Sequence, residues 1–316
     1  MLARCEATED FFRLRCPECG GSAFAAGYDV LCPTEGRRIE GSDGVLPLLR
    51  SDRENELRPF LQAYGTVRRA EGWGGPPDYY VGLPLRDATG RHRSIWKLRA
   101  RSFRTLLVEI ETRFGNASLR VLDLGAGNGW LSYRLARMGH FVLATDISLD
   151  PEDGLGALPR YAADEGQLRG LLAKARAEFE ELPLEDAQFD VVVHVGSLHY
   201  ARCLERAVHE ARRVVRPGGL FLVADSPTYE DEAAGHRMVE RRRAEHLARY
   251  GIDGADHTTG FLVLESFRSL LIRAGFRVEV RAPFEGGHRF ARRLVCRVKG
   301  LPAPARFPVF VAERAP

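Results

Sequence analysis

The sequence is poor in lysine, in net charge and in long apolar runs. Only Lys97, Lys174 and Lys299 are lysine among 46 basic residues, and the formal net charge of the 316 residues is +3. So small an excess gives little reason to expect a nucleic-acid-binding protein, since arginine richness alone is a weak signal. No apolar segment is long enough to span a bilayer, and no apolar signal core lies near the first residue. We therefore expect a cytoplasmic protein without a membrane partner.

Cysteine is also scarce, with six in the chain. In a cytoplasmic protein of this length, cysteines indicate free thiols or a metal site more often than disulfides. Cys16 and Cys19 have the spacing of a zinc knuckle, and Cys32 follows after an interval that suits a hairpin. Glu35 stands where the fourth cysteine of a zinc ribbon would lie. Either Glu35 or Cys5 completes a zinc site with these three cysteines, or the ribbon has lost its metal and is held by packing.

The segment Val121–Trp130 is the centre of the sequence. A short apolar run leads into Asp123, and glycines follow at the alternate positions 125, 127 and 129. A helical pattern then begins, so the segment predicts a buried strand, a tight turn and the start of a helix. Because glycine has no Cβ, the backbone of this turn can bend sharply and approach a ligand closely.

Asp146 lies 21 residues after Gly125, at the predicted end of the next strand. A carboxylate in this place can accept hydrogen bonds from both hydroxyls of a ribose that lies across the strand ends. Strands and helices alternate along the rest of the chain, which predicts a doubly wound α/β fold with a parallel sheet. The predicted strands lie at 141–145, 189–195 and 220–225, with helices at 130–138 and 203–215.

An ordered set of motifs makes the interpretation more specific. The motifs are Asp-x-Gly-x-Gly-x-Gly from residue 123, the acidic residue 146, Glu-Glu-Leu-Pro-Leu from 180, Leu-His-Tyr from 198, and Val-Val-Arg-Pro-Gly-Gly from 214. Residues 119–316 thereby resemble the class I S-adenosylmethionine-dependent methyltransferases that act on small molecules. The resemblance implies a Rossmann-like seven-stranded sheet whose last strand is antiparallel. The main competitor is a dinucleotide-binding oxidoreductase, but the third glycine comes one residue early for it, and it has no place for the Arg-Pro-Gly-Gly turn.

The resemblance also implies roles for individual residues toward S-adenosylmethionine. The glycine loop and Asp123 hold its amino-acid end, and Asp146 binds the ribose. Ile147 covers one face of the adenine, Glu178 accepts from the adenine amino group, and the main chain of Phe179 donates to the base. Alternatively, Asp123 only caps the turn and Glu178 is only an exposed carboxylate. The complete expected set is Asp123, Gly125, Ala126, Gly127, Asn128, Gly129, Asp146, Ile147, Glu178 and Phe179, together with His194 and Val195 beside the sulfonium.

Three segments surround this core. Residues 1–50 resemble the zinc-ribbon unit found ahead of some bacterial methyltransferases, with Cys16, Cys19, Cys32 and Glu35 as metal ligands. Residues 51–117 form a helical linker, whose basic helix over 94–114 is a solvated arginine face or a lid over the cofactor. Residues 226–262 interrupt the core (118–316) as a substrate cap with three arginines from 241, which are expected to face solvent. The lid and substrate candidates are Tyr80, Trp96, Arg101, Tyr200 and Tyr229.

The acceptor of the methyl group is not encoded in a motif. His199 is the candidate general base, because histidine titrates near neutral pH and this residue follows the fourth strand of the sheet. We expect a small-molecule methyltransferase. Two alternatives are an RNA or protein methyltransferase that docks through the ribbon and a basic stretch from Arg289 to Lys299, and a cofactor-binding module that transfers nothing. The sequence does not predict an oligomeric state.

Overall fold

The computed structural model describes residues 12–164, 168, 171–252, 258–282 and 304–315. Cys5, Cys296 and the basic stretch Arg289–Lys299 lie outside the described residues. Within them, no helix is both long enough and apolar enough to cross a membrane.

The N-terminal unit is a four-stranded antiparallel sheet. Its strands are β1 (Leu14–Arg15), β2 (Ser22–Ala26), β3 (Asp29–Cys32) and β4 (Arg37–Ile39), in that spatial order. Alternate residues of β2 and β3 are buried, as expected of a sheet with one packed face. The strand β5 (Leu46–Pro47) leaves this unit and pairs in parallel with an edge strand of the main sheet. The unit is therefore continuous with the core through β5.

A linker of three helices follows. The helices are α1 (Ser51–Ala70), α2 (Pro77–Gly82) and α3 (Arg93–Phe114). Pro77 occupies the first turn of α2, where its missing N–H is not needed. The α3 bounds agree with the helix predicted over 94–114. Its residues Lys97, Arg101 and Arg104 are exposed, so most of its basic face is solvated, as we expected.

The core is a seven-stranded sheet, as the resemblance implied, in the spatial order β13-β14-β10-β9-β6-β7-β8, and β5 adds an eighth strand at the edge. The last strand pairs antiparallel with both of its neighbours, which confirms the predicted reversal. The central strands β6, β7, β9 and β10 are largely buried runs, as both faces of a parallel sheet are covered. The bounds of the seven strands are β6 (Arg120–Leu124), β7 (Phe141–Asp146), β8 (Leu172–Arg176), β9 (Phe189–Val195), β10 (Val215–Ala224), β13 (Phe276–Arg281) and β14 (Val309–Arg314).

Two details of the core differ from the expectation. The strand β8 was not predicted, because its sequence Leu-Ala-Lys-Ala-Arg is short and carries two cations. The segment Arg216–Gly219 was predicted as a turn before a strand that begins at Leu220. It is instead an irregularity inside β10, where the pairing with β9 shifts between Val215 and Leu220. Gly218 has a φ of +72°, a conformation that glycine adopts without strain.

The remaining helices cover the sheet and its carboxyl edge. The helices α4 (Trp130–Arg137), α5 (Leu204–Val214) and α7 (Leu264–Arg273) belong to the core. Between β10 and α7 the chain forms a cap in which β11 (Thr228–Tyr229) pairs in parallel with β12 (Leu262–Val263), with α6 (Glu232–Tyr250) between them. The arginines of α6 contribute to a solvated face, where Arg241 pairs with Glu245 at 2.9 Å.

Candidate functional site

The glycine loop after β6 forms one wall of a cleft. The N–H groups of Gly125 and Ala126 both donate to the carbonyl of Thr145, at 2.8 and 2.9 Å, so the loop is fastened to β7. Gly125 has a φ of +69°, and a Cβ added there would lie 2.4 Å from the Cβ of Ser197. Only glycine fits such a place, because the backbone conformation is strained for other residues and a side chain has no room. The loop therefore keeps its backbone close to the cleft.

Asp146 stands at the carboxyl end of β7, beside this loop. Its two oxygens each accept a backbone hydrogen bond at 2.8 Å, one from Gly127 and one from Ser148. Burial nevertheless raises the pKa of Asp146 to about 6. A carboxylate has about four acceptor sites, so two remain for a ligand. The carboxylate is thus oriented by the backbone and ready to accept from a pair of hydroxyls.

The loop after β9 closes the other side of the cleft floor. The Ser197 hydroxyl donates to the carbonyl of Leu124 at 2.6 Å and lies 2.7 Å from His194 Nδ1. This links the ends of β6 and β9. Burial lowers the pKa of His194 to about 3, so the ring is neutral, and Phe179 packs edge-on against it at 4.8 Å. His194 therefore supports the floor from behind, while Phe179 faces the cleft.

A roof over the cleft is formed by α1. Phe60, Leu61, Tyr64 and Arg68 of this helix line the cleft. The rings of Phe60 and Tyr64 lie 6.3 and 5.8 Å from that of Tyr200, in edge-to-face arrangements. Such geometry is favourable for aromatic pairs. The roof helix thereby contacts the loop after β9 directly.

Ion pairs fasten the roof helix at both ends. Near its start, Arg53 makes two hydrogen bonds to the carboxylate of Glu178, at 2.9 and 2.8 Å, and both side chains are largely buried. Near its end, Arg68 pairs with the buried Asp153. The guanidinium of Arg68 also lies 3.5 Å from the ring centroid of Trp73, as in a cation–π contact. These contacts hold the helix across the mouth of the cleft.

Arg99 of α3 adds a cation to the cleft. Its guanidinium lies 4.7 Å from the ring centroid of Trp96, and one of its terminal nitrogens would be 3.4 Å from a Cβ added at Gly196. Among the residues that the structure describes, no carboxylate pairs with Arg99. Arg99 lies beside Gly196, just after the end of β9, whereas Asp146 lies at the end of β7. An unpaired, half-buried guanidinium is suited to bind a carboxylate.

The free space of the cleft is about 780 Å³ when the open solvent at its mouth is included. Its lining combines the floor loops with the roof helix, and its charges are Asp146, the Arg68–Asp153 pair and Arg99. The lining consists of Phe60, Leu61, Tyr64, Arg68, Arg99, Gly125, Ala126, Gly127, Asn128, Trp130, Asp146, Ile147, Ser148, Asp153, Phe179, Val195, Gly196, Ser197 and Tyr200.

Nine residues expected from the sequence line this cleft, and four expected cofactor residues do not. Asp123 is buried beneath the loop, where Ser132 donates to it at 2.6 Å, and burial raises its pKa to about 7. Gly129 directly precedes α4 as its N-cap residue, Glu178 is bonded to Arg53, and His194 is buried behind Phe179. The nine in the cleft are Gly125, Ala126, Gly127, Asn128, Asp146, Ile147, Phe179, Val195 and Tyr200.

Of the five lid and substrate candidates, Tyr200 lines the cleft and the other four do not reach it. Tyr80 is fully buried and donates to the carbonyl of Glu152 at 3.0 Å, and Trp96 packs edge-on against Trp130. Arg101 is exposed, and Tyr229 is buried against Phe261 in the cap. The roof comes instead from α1 and from Arg99. Sequence reasoning missed these residues, although an aromatic pair at 60 and 64 on one helix face was a signal.

His199 lies in an environment that differs from the expectation. Burial, aided by repulsion from Arg242 and Arg99, lowers its pKa to about 3, whereas a general base needs a pKa near the working pH. Its Nδ1 lies 3.4 Å from the hydroxyl of Ser226, and its carbonyl accepts from the N–H of Gly260 at 2.7 Å. His199 thus connects the loop after β9 to the cap.

The predicted metal ligands come together in the N-terminal unit. The ligand atoms of Cys16, Cys19, Cys32 and Glu35 all lie within 4.8 Å of one another, and the Sγ atoms of Cys19 and Cys32 are 3.6 Å apart. Tetrahedral Zn²⁺ with bonds of about 2.3 Å to sulfur separates its ligands by a similar distance. The donor set therefore fits Zn²⁺, with a carboxylate in place of the usual fourth thiolate.

Comparison with known proteins shows what part of this core is similar to. Residues 122–223 match the family model of a methyltransferase domain. A structure described as a candidate sarcosine dimethylglycine methyltransferase from Galdieria sulphuraria has the same fold, with a TM-score of 0.52 at 15% identity over 83% of this chain and 98% of that chain. Residues 122–223 are thus similar to methyltransferase domains, which agrees with the predicted class.

Two curated relatives are similar to this chain over half of its length or more. The chain is 38% identical to a malonyl-(acyl-carrier protein) O-methyltransferase of Geobacter sulfurreducens, over 51% of this chain and 57% of that protein. It is 26% identical to a sterol 24-C-methyltransferase of Debaryomyces hansenii, over 67% of this chain and 51% of that protein. The chain thus spans about half the length of the curated relatives it matches.

Proposed function

We propose that this protein transfers a methyl group from S-adenosylmethionine to a small-molecule acceptor. The observation that carries the proposal is the cleft at the carboxyl ends of β6, β7 and β9, where a carboxylate with unused acceptor sites lies beside a glycine loop. In open α/β sheets this is the place where ligands bind. Curated relatives of the core are named as a malonyl-(acyl-carrier protein) O-methyltransferase and a sterol 24-C-methyltransferase, which supports a methyl transfer.

The cleft residues fit the parts of this cofactor. Asp146 would accept from the ribose hydroxyls, and Ile147 and Phe179 would contact the adenine. Arg99 would pair with the methionyl carboxylate, beside the loop that begins at Gly125. When bound, S-adenosylmethionine supplies a methyl group on a sulfonium, which is already a strong methyl donor. The residues of the cleft contribute mainly proximity and alignment to the transfer.

The aromatic side chains around the roof helix support the proposal that the methyl acceptor is a small molecule. Phe60, Tyr64 and Tyr200 form an aromatic wall, which suits a compact and largely apolar molecule. Burial raises the pKa of Tyr64 well above its usual range, and that of His199 is about 3. Neither side chain is therefore tuned to remove a proton at neutral pH. We infer that the acceptor atom is nucleophilic without a strong general base.

The knuckle is proposed to bind Zn²⁺ through Cys16, Cys19, Cys32 and Glu35, because the four donors converge as a tetrahedral site requires. In the described part of the chain, these three cysteines and Cys203 form no disulfide. Cysteines that stay reduced are typical of a reducing compartment, which supports the cytoplasmic location that we predicted.

Calorimetry with S-adenosylhomocysteine tests the proposal. Asp146→Ala should weaken binding about 100-fold, because two hydrogen bonds to a charged acceptor are lost at about 1.5 kcal/mol each. The matched control is Asp78→Ala, an exposed carboxylate in the first turn of α2, which should leave the affinity unchanged. If the wild type does not bind the ligand at high micromolar concentration, the proposed function is excluded.

The same experiment has a pH arm. Asp146 binds as a carboxylate, and its pKa is raised to about 6 by burial. The affinity should therefore be constant above pH 7 and fall by up to about tenfold per unit as the pH drops below 6, where the acid is protonated. Asp146→Asn should remove this dependence. A wild-type affinity that is flat from pH 7 to pH 5 would contradict the assignment of Asp146.

A further inference from the structure

The start of the roof helix is capped from the knuckle. Glu18 lies between Cys16 and Cys19, and its Oε1 accepts the backbone N–H of Ser51, the first residue of α1, at 2.9 Å. Arg50, which precedes the helix, makes no capping hydrogen bond with its own side chain. Capping normally comes from a side chain at that position, and a negative charge is favourable at a helix N-terminus. Here the N-terminal unit supplies both from outside the helix.

The capped end is mechanically connected to the cleft. Arg53, in the first turn of α1, is held by an ion pair with Glu178. Phe179, the residue after Glu178, lines the cleft. Phe60 lies nine residues after Ser51, about 14 Å along a helix that rises about 1.5 Å per residue. Pro59 lies inside α1 and removes one backbone hydrogen bond, but the chain remains helical from Ser51 to Ala70, so a displacement of the start of α1 is passed on toward Phe60. The position of Ser51 therefore contributes, together with the Arg53 and Arg68 ion pairs, to where the aromatic wall stands.

The conformation of the knuckle depends on the converging thiols. Two backbone bonds hold the turn that carries Glu18, from Gly20 N–H to the Cys16 carbonyl at 2.9 Å and from Cys16 N–H to the Gly21 carbonyl at 2.7 Å. Thiols are weak hydrogen-bond donors and acceptors. A metal ion that binds Cys16 and Cys19 closes the turn covalently on both sides of Glu18, so a bound metal fixes the carboxylate more firmly than the backbone bonds alone.

We propose that Glu18 is a positioning residue that couples the metal site of the knuckle to the roof of the cofactor cleft. Metal binding fixes Glu18, Glu18 fixes the start of α1, and α1 places Phe60, Leu61 and Tyr64 over the floor. The inference rests on the proposed function, since it assumes that the cleft binds S-adenosylmethionine. It predicts that an empty knuckle lowers the cofactor affinity although its ligands do not touch the cleft.

Three variants of the full chain test the coupling. In Glu18→Ala the cap is lost while the metal ligands remain, in Glu18→Gln the amide oxygen can still accept from Ser51, and in Cys19→Ser the metal site is broken. Each protein is measured for zinc content, for S-adenosylhomocysteine affinity, and for hydrogen exchange of the amides in residues 51–61. Wild type treated with a chelator and then reloaded with Zn²⁺ is the fourth sample.

We expect Glu18→Ala to keep about one zinc per chain but to bind the ligand about fivefold more weakly, the equivalent of a lost helix cap. Exchange over 51–61 should accelerate in Glu18→Ala, in Cys19→Ser and in the chelated wild type, and Zn²⁺ should reverse only the last. Glu18→Gln should bind within about twofold of wild type. Removing zinc from Glu18→Ala should add little, because the two changes act through one contact.

Three results would overturn the coupling. The first is a Glu18→Ala variant whose ligand affinity and amide exchange equal those of the wild type. The second is a wild-type protein that purifies with an intact ribbon structure but binds no zinc. The third is a Glu18→Ala variant that loses as much ligand affinity on removal of zinc as the wild type does. Failure of the proposed function is distinguishable, since a wild type that does not bind the ligand still reports on the coupling through hydrogen exchange of the roof helix.

Discussion

The floor and the roof of the cleft are built by different means. The floor is made of backbone: the loop from Gly125 is fastened to Thr145 by main-chain hydrogen bonds and continues a strand of the sheet. The roof is made of side chains, mostly on α1, which ion pairs hold at Arg53 and Arg68, and Arg99 of α3 adds to it. Main-chain bonds inside a sheet open only with the core, whereas a helix held at its ends can move as a unit. If the cleft binds S-adenosylmethionine, as we propose, the rigid floor recognises the cofactor and the roof controls access to it.

The largest loss of ligand affinity is expected when a side chain is added to a glycine of the floor. Gly125→Ala places a Cβ 2.4 Å from that of Ser197 at a φ of +69°, so the loop must shift away from the strand ends. We expect the affinity for S-adenosylhomocysteine to fall by at least about 100-fold, in keeping with the loss of several hydrogen bonds from a displaced loop. Calorimetry measures the affinity, and a thermal melt shows that the variant is folded.

Gly139→Ala is the matched control for this variant. Gly139 has a φ of +88° but nothing within 4 Å of an added Cβ, so it shares the backbone strain without the collision. Both variants should melt at lower temperature than wild type, because alanine is disfavoured at positive φ. Only the Gly125 variant should lose affinity. If the Gly125→Ala variant binds the ligand as tightly as the wild type does, the floor is less rigid than the structure implies.

A smaller effect is expected from the roof side of the cleft. Arg99→Gln removes the half-buried cation near Gly196 and should weaken S-adenosylhomocysteine about tenfold, the contribution of one hydrogen-bonded charge pair. Methylthioadenosine has no carboxylate, so its affinity should change less than about twofold. Calorimetry with the two ligands separates loss of the carboxylate contact from a general distortion.

Arg101→Gln on the same helix is the control for Arg99, because Arg101 is exposed and does not line the cleft. It should bind both ligands like wild type. An equal loss for both ligands in Arg99→Gln would mean that the residue supports the roof without holding the carboxylate. Such a result would mean that the roof contributes more to cofactor affinity, and the floor less, than we propose.

The sequence predicted the floor because its determinants are local. Glycines at alternate positions after an apolar run, and an acidic residue at the end of the next strand, have a direct meaning for backbone conformation and for ligand approach. The pairing that orients Asp146 uses Gly127 and Ser148, both close in sequence. Such patterns are readable without knowledge of the tertiary structure.

The roof could not be predicted in the same way, because its contacts join distant residues. Tyr64 meets Tyr200 and Arg53 meets Glu178, more than a hundred residues apart in each pair. On α3 the sequence could not distinguish Arg99 from Arg101, although two residues correspond to about 200° around a helix and only Arg99 faces the cleft. Periodicity indicates which face is polar, but it does not indicate what lies opposite.

The N-terminal unit differs from the expectation for a related reason. The cysteine spacing predicted a ribbon, and the ligand atoms do converge. The contact of Glu18 with Ser51 and the pairing of Leu46 with Ala175 join this unit to the roof and to the sheet. Neither contact has a sequence signal, because a single carboxylate and a two-residue strand occur widely by chance.

The smallest effect is expected at the contact between the floor and the cap. His199 has a pKa of about 3 and is buried beside Ser226, so it is neutral at working pH and a weak base. His199→Asn retains a polar side chain at this place and should keep turnover within about threefold, measured as label transferred from S-adenosylmethionine to a small-molecule extract that wild type methylates. Loss of a general base would lower kcat by about 100-fold or more at unchanged ligand affinity. Such a loss would show that the loop rearranges in the complex and that the floor is not fully preformed.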